Sequence, residues 1–495
     1  MTEDKNNLSQ TPKSWVWTNL REILDFVKGK KPKNLGAKNE LLTIPYVNIR
    51  AFEKKVIDKF TDGTDSRLCE TSDILIVWDG ARCGLVGRGV SGAIGSTLAK
   101  LVCYELNPSY LFHYLRLKYD YINKRPRGVG IPHVDPNIFW NITMPLPPLV
   151  EQDRIVSKIE ELFTRLDAGL ESLRMVKTQL GRYRQAVLKH AFEGKLTERW
   201  RNAHKDQIEP VQAFLERMGE EQKKNTGGKP RESSPIDSSG LYELPTSWMW
   251  IKLGEVTESM KNGIYKPKRF YSDDGIACLR MYNIESGKIV WKDIKRMILT
   301  SEEVHAYELK AGDILVNRVN SRELVGKAAV IPKDLEICVY ESKNIRLRLL
   351  GNFVDNKYVN FWLQIFRQKY FNRHAQQTVG MASINQEQLS SMPVPLSPLL
   401  EQRKIVEEIE HSFSIVDEIE KNVNHSMTQA EKLRQAVLRK AFWGKLALQD
   451  PTDEPAEKLL ERIREEKEKR KSEEKGIKRK RKGRRRQMGL IRYVK

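Results

Sequence analysis

Cysteine is scarce: five in 495 residues (Cys69, Cys83, Cys103, Cys278, Cys338), far apart and with no CxxC pair. That excludes a disulfide framework and a cysteine-rich zinc site, and a reducing, cytoplasmic setting is expected. No apolar run approaches the ~20 residues that cross a bilayer. Met1–Gln10 is polar, so neither a membrane span nor a signal peptide is expected. Catalytic patterns are missing too. The eight histidines form no HExxH. The glycine-rich run GLVGRGVSGAIGST (84–97) lacks the GK[ST] of a phosphate-binding loop and reads as turn glycines between strands. NPSY (107–110) is only close to the Asn-Pro-Pro-Tyr of base-flipping methyltransferases, and no FxGxG cofactor loop accompanies it. A catalytic or metal-binding role is not expected of this chain alone.

What the sequence does have is positive charge: 86 Lys and Arg against 65 Asp and Glu, a net +21. The partner expected from that balance is a polyanion, nucleic acid first. The segment 447–495 carries +8 of the total, with twelve Lys or Arg against two Glu between Lys469 and Arg486. Like-charge blocks repel, so this tail is expected to be largely disordered. The rest keeps +13 and is basic in its own right.

The sequence also repeats itself. PLPPLVEQDRIVSKIEELF (145–163) returns as PLSPLLEQRKIVEEIEHSF (395–413), and RQAVLKHAFEGKL (184–196) as RQAVLRKAFWGKL (434–446). Over residues 144–196, 24 of 53 positions are identical at a constant offset of 250. Weaker echoes precede these: SWVW (14–17) and SWMW (247–250), KPK at 31–33 and 266–268, SDILIV (72–77) and GDILVN (312–317), Arg82 and Arg322, Tyr110 and Tyr358. The order is globule, helix, globule, helix, tail.

Each repeated helical segment opens after a proline, Pro148 or Pro398, and stops at Gly194 or Gly444. Between them apolar residues alternate by threes and fours, with a seam of Ile155, Ile159, Leu162 and Leu166 in the first copy. The second copy offers Ile405, Ile409, Val416 and Ile419. This spacing is that of a coiled coil. A second globule between the helices makes the return helix antiparallel, and ~45 residues give up to ~65 Å. The globules read as mixed α/β, with strands ILIVW (74–78) and DILVN (313–317) and helices YLFHYLRL (110–117) and YVNFWLQIF (358–366). Residues 201–245, with TGGKP and ESSPIDSSG, read as a linker.

At PLPPLVEQ and PLSPLLEQ, each leading into a long helix that ends near RQAVL and GKL, the chain resembles the specificity subunit of type I restriction–modification enzymes. The paired SWxW openings and the globule–helix order fit as well, and the resemblance covers residues 12–446. It implies two target-recognition domains (1–147 and 246–396), joined by helices at 148–200 and 397–446 that form an antiparallel coiled coil with pseudo-twofold symmetry. Segments 201–245 and 447–495 then remain as linker and tail. It also implies that each domain reads one half of an asymmetric bipartite DNA target while the coil sets the spacer. Further implied are double-stranded DNA as ligand and two methyltransferase subunits using S-adenosylmethionine. A motor-nuclease subunit using ATP and Mg would complete the complex, with no cofactor in this chain.

Shared basic positions should hold phosphates and unshared ones should read bases. The candidates are Lys31, Lys33, Lys266 and Lys268, which flank prolines, Arg82 and Arg322, which follow matched strands, and Arg125 and Arg127, which have no basic match in the second copy. His133 and Asp135 correspond to Ser383 and Asn385, so a catalytic site shared by both copies is not expected there. Two other readings compete: a coiled-coil DNA-binding scaffold without sequence preference, and a fused methyltransferase or nuclease.

Overall fold

The computed structural model describes residues 11–128, 130–225, 236, 240–378 and 380–491. Its two long helices, Leu149–Phe192 and Leu399–Phe442, have 44 residues each. Both end where the sequence places their stops. Gly194 and Gly444 are left-handed (φ +72° and +67°), and the following N–H groups return to His190 O and Lys440 O at 2.9 Å. A Cβ at either glycine would lie 2.4 Å from a proline ring, Pro245 or Pro12, so both must be glycine on grounds of space as well.

The chain divides into two compact units that do not follow the order of segments along the sequence: 1–173 with 425–495, and 174–424. Each unit holds one globule, the first half of one long helix and the second half of the other.

In the first unit, Val16–Asn19 pairs antiparallel with Thr143–Leu146. A four-stranded sheet runs in the order Leu24–Lys28, Leu98–Cys103, Ile74–Val77, Val86–Arg88. The second unit repeats both features. Met249–Lys252 pairs with Pro393–Leu396, and the sheet order is Thr257–Asn262, Asn344–Leu349, Ile314–Asn317, Ala328–Val330. The helices expected at 110–117 and 358–366 are Pro108–Leu117 and Asn356–His374, capped by Asn107 and Asp355. Asn107 of the NPSY sequence is thus a helix cap, and the Tyr110 hydroxyl donates to Pro145 O at 2.8 Å. What the globules do not share is added around these sheets. The first carries a five-stranded sheet from short strands between Leu35 and Ile94. The second carries Tyr271–Leu279 between Lys295–Met297 and Cys338–Tyr340, whereas its three-stranded set of Val319–Asn320, Met381–Ser383 and Gln376–Thr378 has a counterpart in the first globule, where His133 bridges both Asp79 and Arg127.

The repeated motifs are the joints of this construction. Trp15 and Trp248 of the SWxW sequences are buried, and their indole N–H groups donate to Glu151 and Glu401 at 2.9 and 2.8 Å. The adjacent glutamines lock the entry loops. Gln152 accepts from Asn107 N at 3.0 Å and Gln402 from Asp355 N at 2.8 Å, while their amides donate to Pro147 O and Ser397 O. At the far ends, Phe442 packs on Tyr110 and Tyr114 at 5.1 and 4.9 Å, and Phe192 on Tyr358 and Trp362 at 5.0 and 5.1 Å. Each long helix therefore begins on one globule and ends in the core of the other.

Within each unit the helix halves run antiparallel. Ile155 and Ile159 share a core with Val437, Leu438, Ala441 and Phe442, while Leu162 and Leu166 lie half-buried against it. Ile405 and Ile409 share one with Val187, Leu188, Ala191 and Phe192. Val416 is buried as expected, but Ile419 is not in the seam: it is 40% exposed. The heptad step from Val416 leads to buried Val423, and half-buried Glu420 lies between them. Where the motif RQAVL begins, the seam holds arginine. Arg434 lies over the Phe163 ring (4.6 Å) and pairs with Asp167, and Arg184 lies over Phe413 (5.9 Å) and pairs with Asp417 and with Glu420, the latter at 2.9 Å.

The regions expected to be linker and disordered tail contain structure. After Leu149–Phe192 the chain forms Glu198–Ala203 and Val211–Asn225, with Phe214 and Met218 buried in the second unit's core. The TGGKP and ESSPIDSSG stretches fall almost wholly outside the described residues. The tail forms a helix, Ala456–Ile491. Its Leu459, Leu460 and Ile463 are buried in the first unit's core. Lys467 is 5% exposed, and its ammonium donates to Arg21 O at 2.5 Å and to Leu24 O. Composition hides this helix, because its apolar stripe 456, 459, 460, 463 is short and sits in a highly charged sequence. An amphipathic face is enough to dock a helix whatever its overall composition.

Candidate nucleic-acid interface

In each globule one end of the four-stranded sheet gathers loops rather than core. In the first unit this rim lies where Leu24–Lys28 and Ile74–Val77 end and Leu98–Cys103 begins, since Lys28 pairs with Ala99 and Val77 with Leu98. Gly29 N donates to Leu98 O at 2.9 Å as the chain leaves the sheet. A Cβ there would meet Gly95 O at 2.1 Å, so only glycine fits. Gly263 occupies the same place in the second unit, with its N donating to Asn344 O at 3.0 Å and a virtual Cβ 2.2 Å from Glu341 O. Sequence reasoning missed this matched glycine, which stands two residues before Lys31 in one copy and three before Lys266 in the other.

Polar groups converge on the first rim. Asp79 receives Lys28 at 2.8 Å and the His133 ring at 2.7 Å. The backbones of Arg127 and His133 exchange hydrogen bonds of 2.9 and 3.0 Å, and Val134 N donates to Trp78 O at 2.9 Å. A hairpin is thereby folded against the end of the central strand, and it carries exposed Arg127 to the rim. Arg125 is exposed just before it, its guanidinium 4.3 Å from the Tyr121 ring centre. Lys31 and Lys33 are exposed on either side of buried Pro32. Arg82 does not join this group as a free cation, because its guanidinium is paired with Glu53.

The second rim uses the same scaffold with different chemistry. Ile384 N donates to Arg318 O at 2.9 Å, the counterpart of the Val134–Trp78 bond. In place of the Lys28–Asp79–His133 chain stands a buried amide cluster. Asn317 donates to Asn344 at 3.1 Å and accepts from Asn320 at 2.8 Å. Arg318 is half-buried and donates to Ser342 O at 3.3 Å and Ile384 O at 3.4 Å. Lys268 is exposed. Lys266 is not a free cation: its side chain is 17% exposed, pairs with Glu303 at 2.5 Å and lies 4.6 Å from the Phe270 ring centre. Arg322 is exposed and donates to Asn372 at 3.2 Å.

Lys31, Lys33, Arg125 and Arg127 on one globule, and Lys268 and Arg322 on the other, are thus the sequence candidates left with solvent-facing charge. Lys28, Asp79, His133 and Arg318 were not singled out beforehand as DNA contacts. Their polar partners lie tens of residues away, and no local motif marks them. Among the described residues no group of three or more His, Cys, Asp or Glu is placed to hold a metal ion, and no helix is long and apolar enough to cross a membrane.

The comparisons with known proteins agree on one family. A family model described as the type I restriction modification DNA specificity domain matches twice, at residues 12–172 and 245–429. The chain is 25% identical over 455 residues to the MjaVIII specificity subunit of Methanocaldococcus jannaschii, covering 89% of this chain and 95% of that one. It is 26% identical over 490 residues to the EcoKI specificity subunit of Escherichia coli K12, covering 92% and 96%. Among solved structures it shares its fold with a chain from work on complex assembly and conformational transition of the type I R-M system. That match has a TM-score of 0.64 at 19% identity and covers 88% and 99% of the two chains.

Proposed function

The chain belongs to the type I restriction modification DNA specificity family, and from that premise we propose how it divides the work. Its role is to recognise DNA sequence as a non-catalytic subunit. Each globule reads one half of a bipartite target, using the rim at the end of its four-stranded sheet. The antiparallel helices set the number of unread base pairs between the halves. The observation that carries this reading is one sheet order used twice with unlike rims: Lys28, Asp79 and His133 in one, Asn317, Asn320 and Asn344 in the other. A shared scaffold with different edge groups suits two different half-sites, so the target is asymmetric.

Recognition serves reactions carried out by other chains in the cytoplasm. Two methyltransferase subunits bring S-adenosylmethionine to adenines in the target, and a motor-nuclease subunit brings ATP and Mg. The test is selection from random duplexes by the chain assembled with its methyltransferase subunits. Enrichment of two unlike half-sites around a fixed gap is the expected result. Retention that ignores base sequence and falls uniformly with salt would replace this reading with that of a scaffold. Methyl transfer by the isolated chain would replace it with that of an enzyme.

A further inference from the structure

Beside the amide cluster of the second rim stands Arg280, the first residue beyond the strand Tyr271–Leu279. That strand pairs parallel with Cys338–Tyr340, and Glu341 is the first residue beyond its partner. Glu341 N donates to Leu279 O at 3.0 Å and Ile264 N to Tyr340 O at 2.9 Å, so both residues stand at the rim that begins at Gly263. The Glu341 carboxylate is buried and bound twice. One oxygen accepts from Met281 N at 2.9 Å and the other from Arg280 Nε at 3.2 Å. Arg280 N donates to Asn283 Oδ1 and Asn283 N to Arg280 O, both at 2.9 Å. The buried Asn283 amide donates in turn to the carbonyls of Val290 and Lys292 at 3.1 and 2.9 Å. Backbone and guanidinium are thus ordered before a ligand arrives, which lowers the entropy lost on binding.

The bond to Glu341 uses Nε, and among the described residues neither terminal nitrogen of Arg280 has a hydrogen-bond acceptor. The side chain is 29% exposed, and its guanidinium lies 5.4 Å from the ring centre of exposed Tyr282. Two terminal N–H groups in one plane match the O6 and N7 acceptors that guanine shows in the major groove. A phosphate also accepts such a fork, but Glu341 cancels much of the charge that would draw one and leaves the geometry that fits a base edge. Nor is the pair needed to build the rim, because one step of these sheets is common to both globules. In the first, Gly95 N donates to Val47 O at 2.9 Å and Lys30 N to Ile94 O at 3.0 Å, across the parallel pairing of Tyr46 and Val47 with Ala93 and Ile94. Asn48 and Gly95 stand there in place of Arg280 and Glu341, and the Asn48 side chain caps the helix Ile49–Lys54. A charged pair present in one copy only is what different half-sites call for, since shared contacts serve phosphates.

We propose that Arg280 reads a guanine in the half-site of the second globule, with Glu341 as the residue that positions it. This rests on the DNA-recognition reading given above and names one base of one half-site. The test uses the chain and the variants Arg280→Gln, Arg280→Lys and Glu341→Gln, each assembled with the methyltransferase subunits. Binding is measured, across a salt series, to the duplex that the parent selects and to a panel in which every pair of both half-sites is replaced in turn. The parent should reject replacement of one G·C pair in one half-site by about 5- to 150-fold. Arg280→Gln should abolish that preference. Arg280→Lys, which keeps the charge without the planar fork, should reduce it. Both should keep every other preference and the salt slope. Glu341→Gln should lower the same preference and no other.

Every preference kept by Arg280→Gln, or a preference lost at an A·T pair, would overturn the guanine contact. Equal weakening on all duplexes with a salt slope shallower by about 0.9 would replace it with a phosphate contact. Failure of both Arg280 variants to assemble would overturn it too, since the pair would then belong to the fold. An equal fall at every position for Glu341→Gln would remove Glu341 from the proposal. A parent that prefers no duplex would sink the recognition reading and the contact with it, whereas a discriminating parent with equally discriminating variants would sink the contact alone.

Discussion

Glu151 and Glu401 hold matched places and differ in what surrounds them. Glu401 is buried and receives Trp248, Thr197 and Arg201 at 2.8, 2.7 and 2.8 Å. Glu151 is equally buried and takes Trp15 on one oxygen, while the other has no hydrogen-bond donor, and burial holds its carboxyl above the usual range. Glu401→Gln, which breaks a buried ion pair, is expected to cost about 3 kcal/mol or more in denaturant unfolding. Glu151→Gln still accepts from Trp15 and is expected to be neutral or stabilising at pH 7.

His113 offers a pH test. Burial, with Arg116 and Arg88 nearby, pushes its pKa down to about 4, so it is neutral when folded. The unfolded chain takes up that proton below pH ~6.5. Stability should therefore fall as pH drops from about 6.5 towards 4, by up to about 3 kcal/mol from this residue. The repeat supplies the control. His113 packs edge-on to Phe163 as Phe361 does to Phe413, so His113→Phe should flatten the slope and keep the fold.

At the rims, Arg127→Ala is expected to cost ~1–3 kcal/mol in binding and to relax preference in one half-site only. Lys31→Ala or Lys268→Ala should weaken all duplexes alike and lower the salt slope by about 1. Arg82→Ala should change little, because Glu53 already neutralises that charge. Matching the two copies found basic positions, but could not tell a free cation from one paired across the fold, as Arg82 and Lys266 are.

Secondary elements were easier to read than their partners. The 3–4 spacing located both long helices and their glycine stops, since periodicity and left-handed backbone are local properties. Ile419 misled because a stripe of threes and fours does not show where a seam takes polar residues. Arg184 and Arg434, not their apolar neighbours Tyr183 and Leu433, reach across to the opposing helix, and the latter two are 51% exposed. Likewise LVG occurs in both copies, at 85–87 and at 324–326, but at places that are not equivalent. Val86 and Ala328 are the residues paired to matching strand positions, Ile76 and Val316. If the coil is the spacer ruler, inserting one heptad into both long helices at mid-length should lengthen the spacer and leave both half-sites intact. Altered half-sites in that variant would reject the ruler.

At the scale of the whole chain, the repeat is circular. The first long helix ends in the second globule's core, the second ends in the first globule's core, and each is followed by a helix opened by Glu-Pro that docks on that globule. The duplication was visible from two stretches of motif. Its extension through Glu209–Arg217 and Glu454–Arg462 was not, because charge composition outweighed four apolar residues. The proposed function requires that this chain select a DNA sequence through two unlike globules. Genome-wide adenine methylation in the source strain, with and without this gene, tests it most directly. Loss of a single methylated motif made of two unlike halves around a fixed gap is the expected result. An unchanged methylome, in a strain whose partner methyltransferase is active, would contradict it.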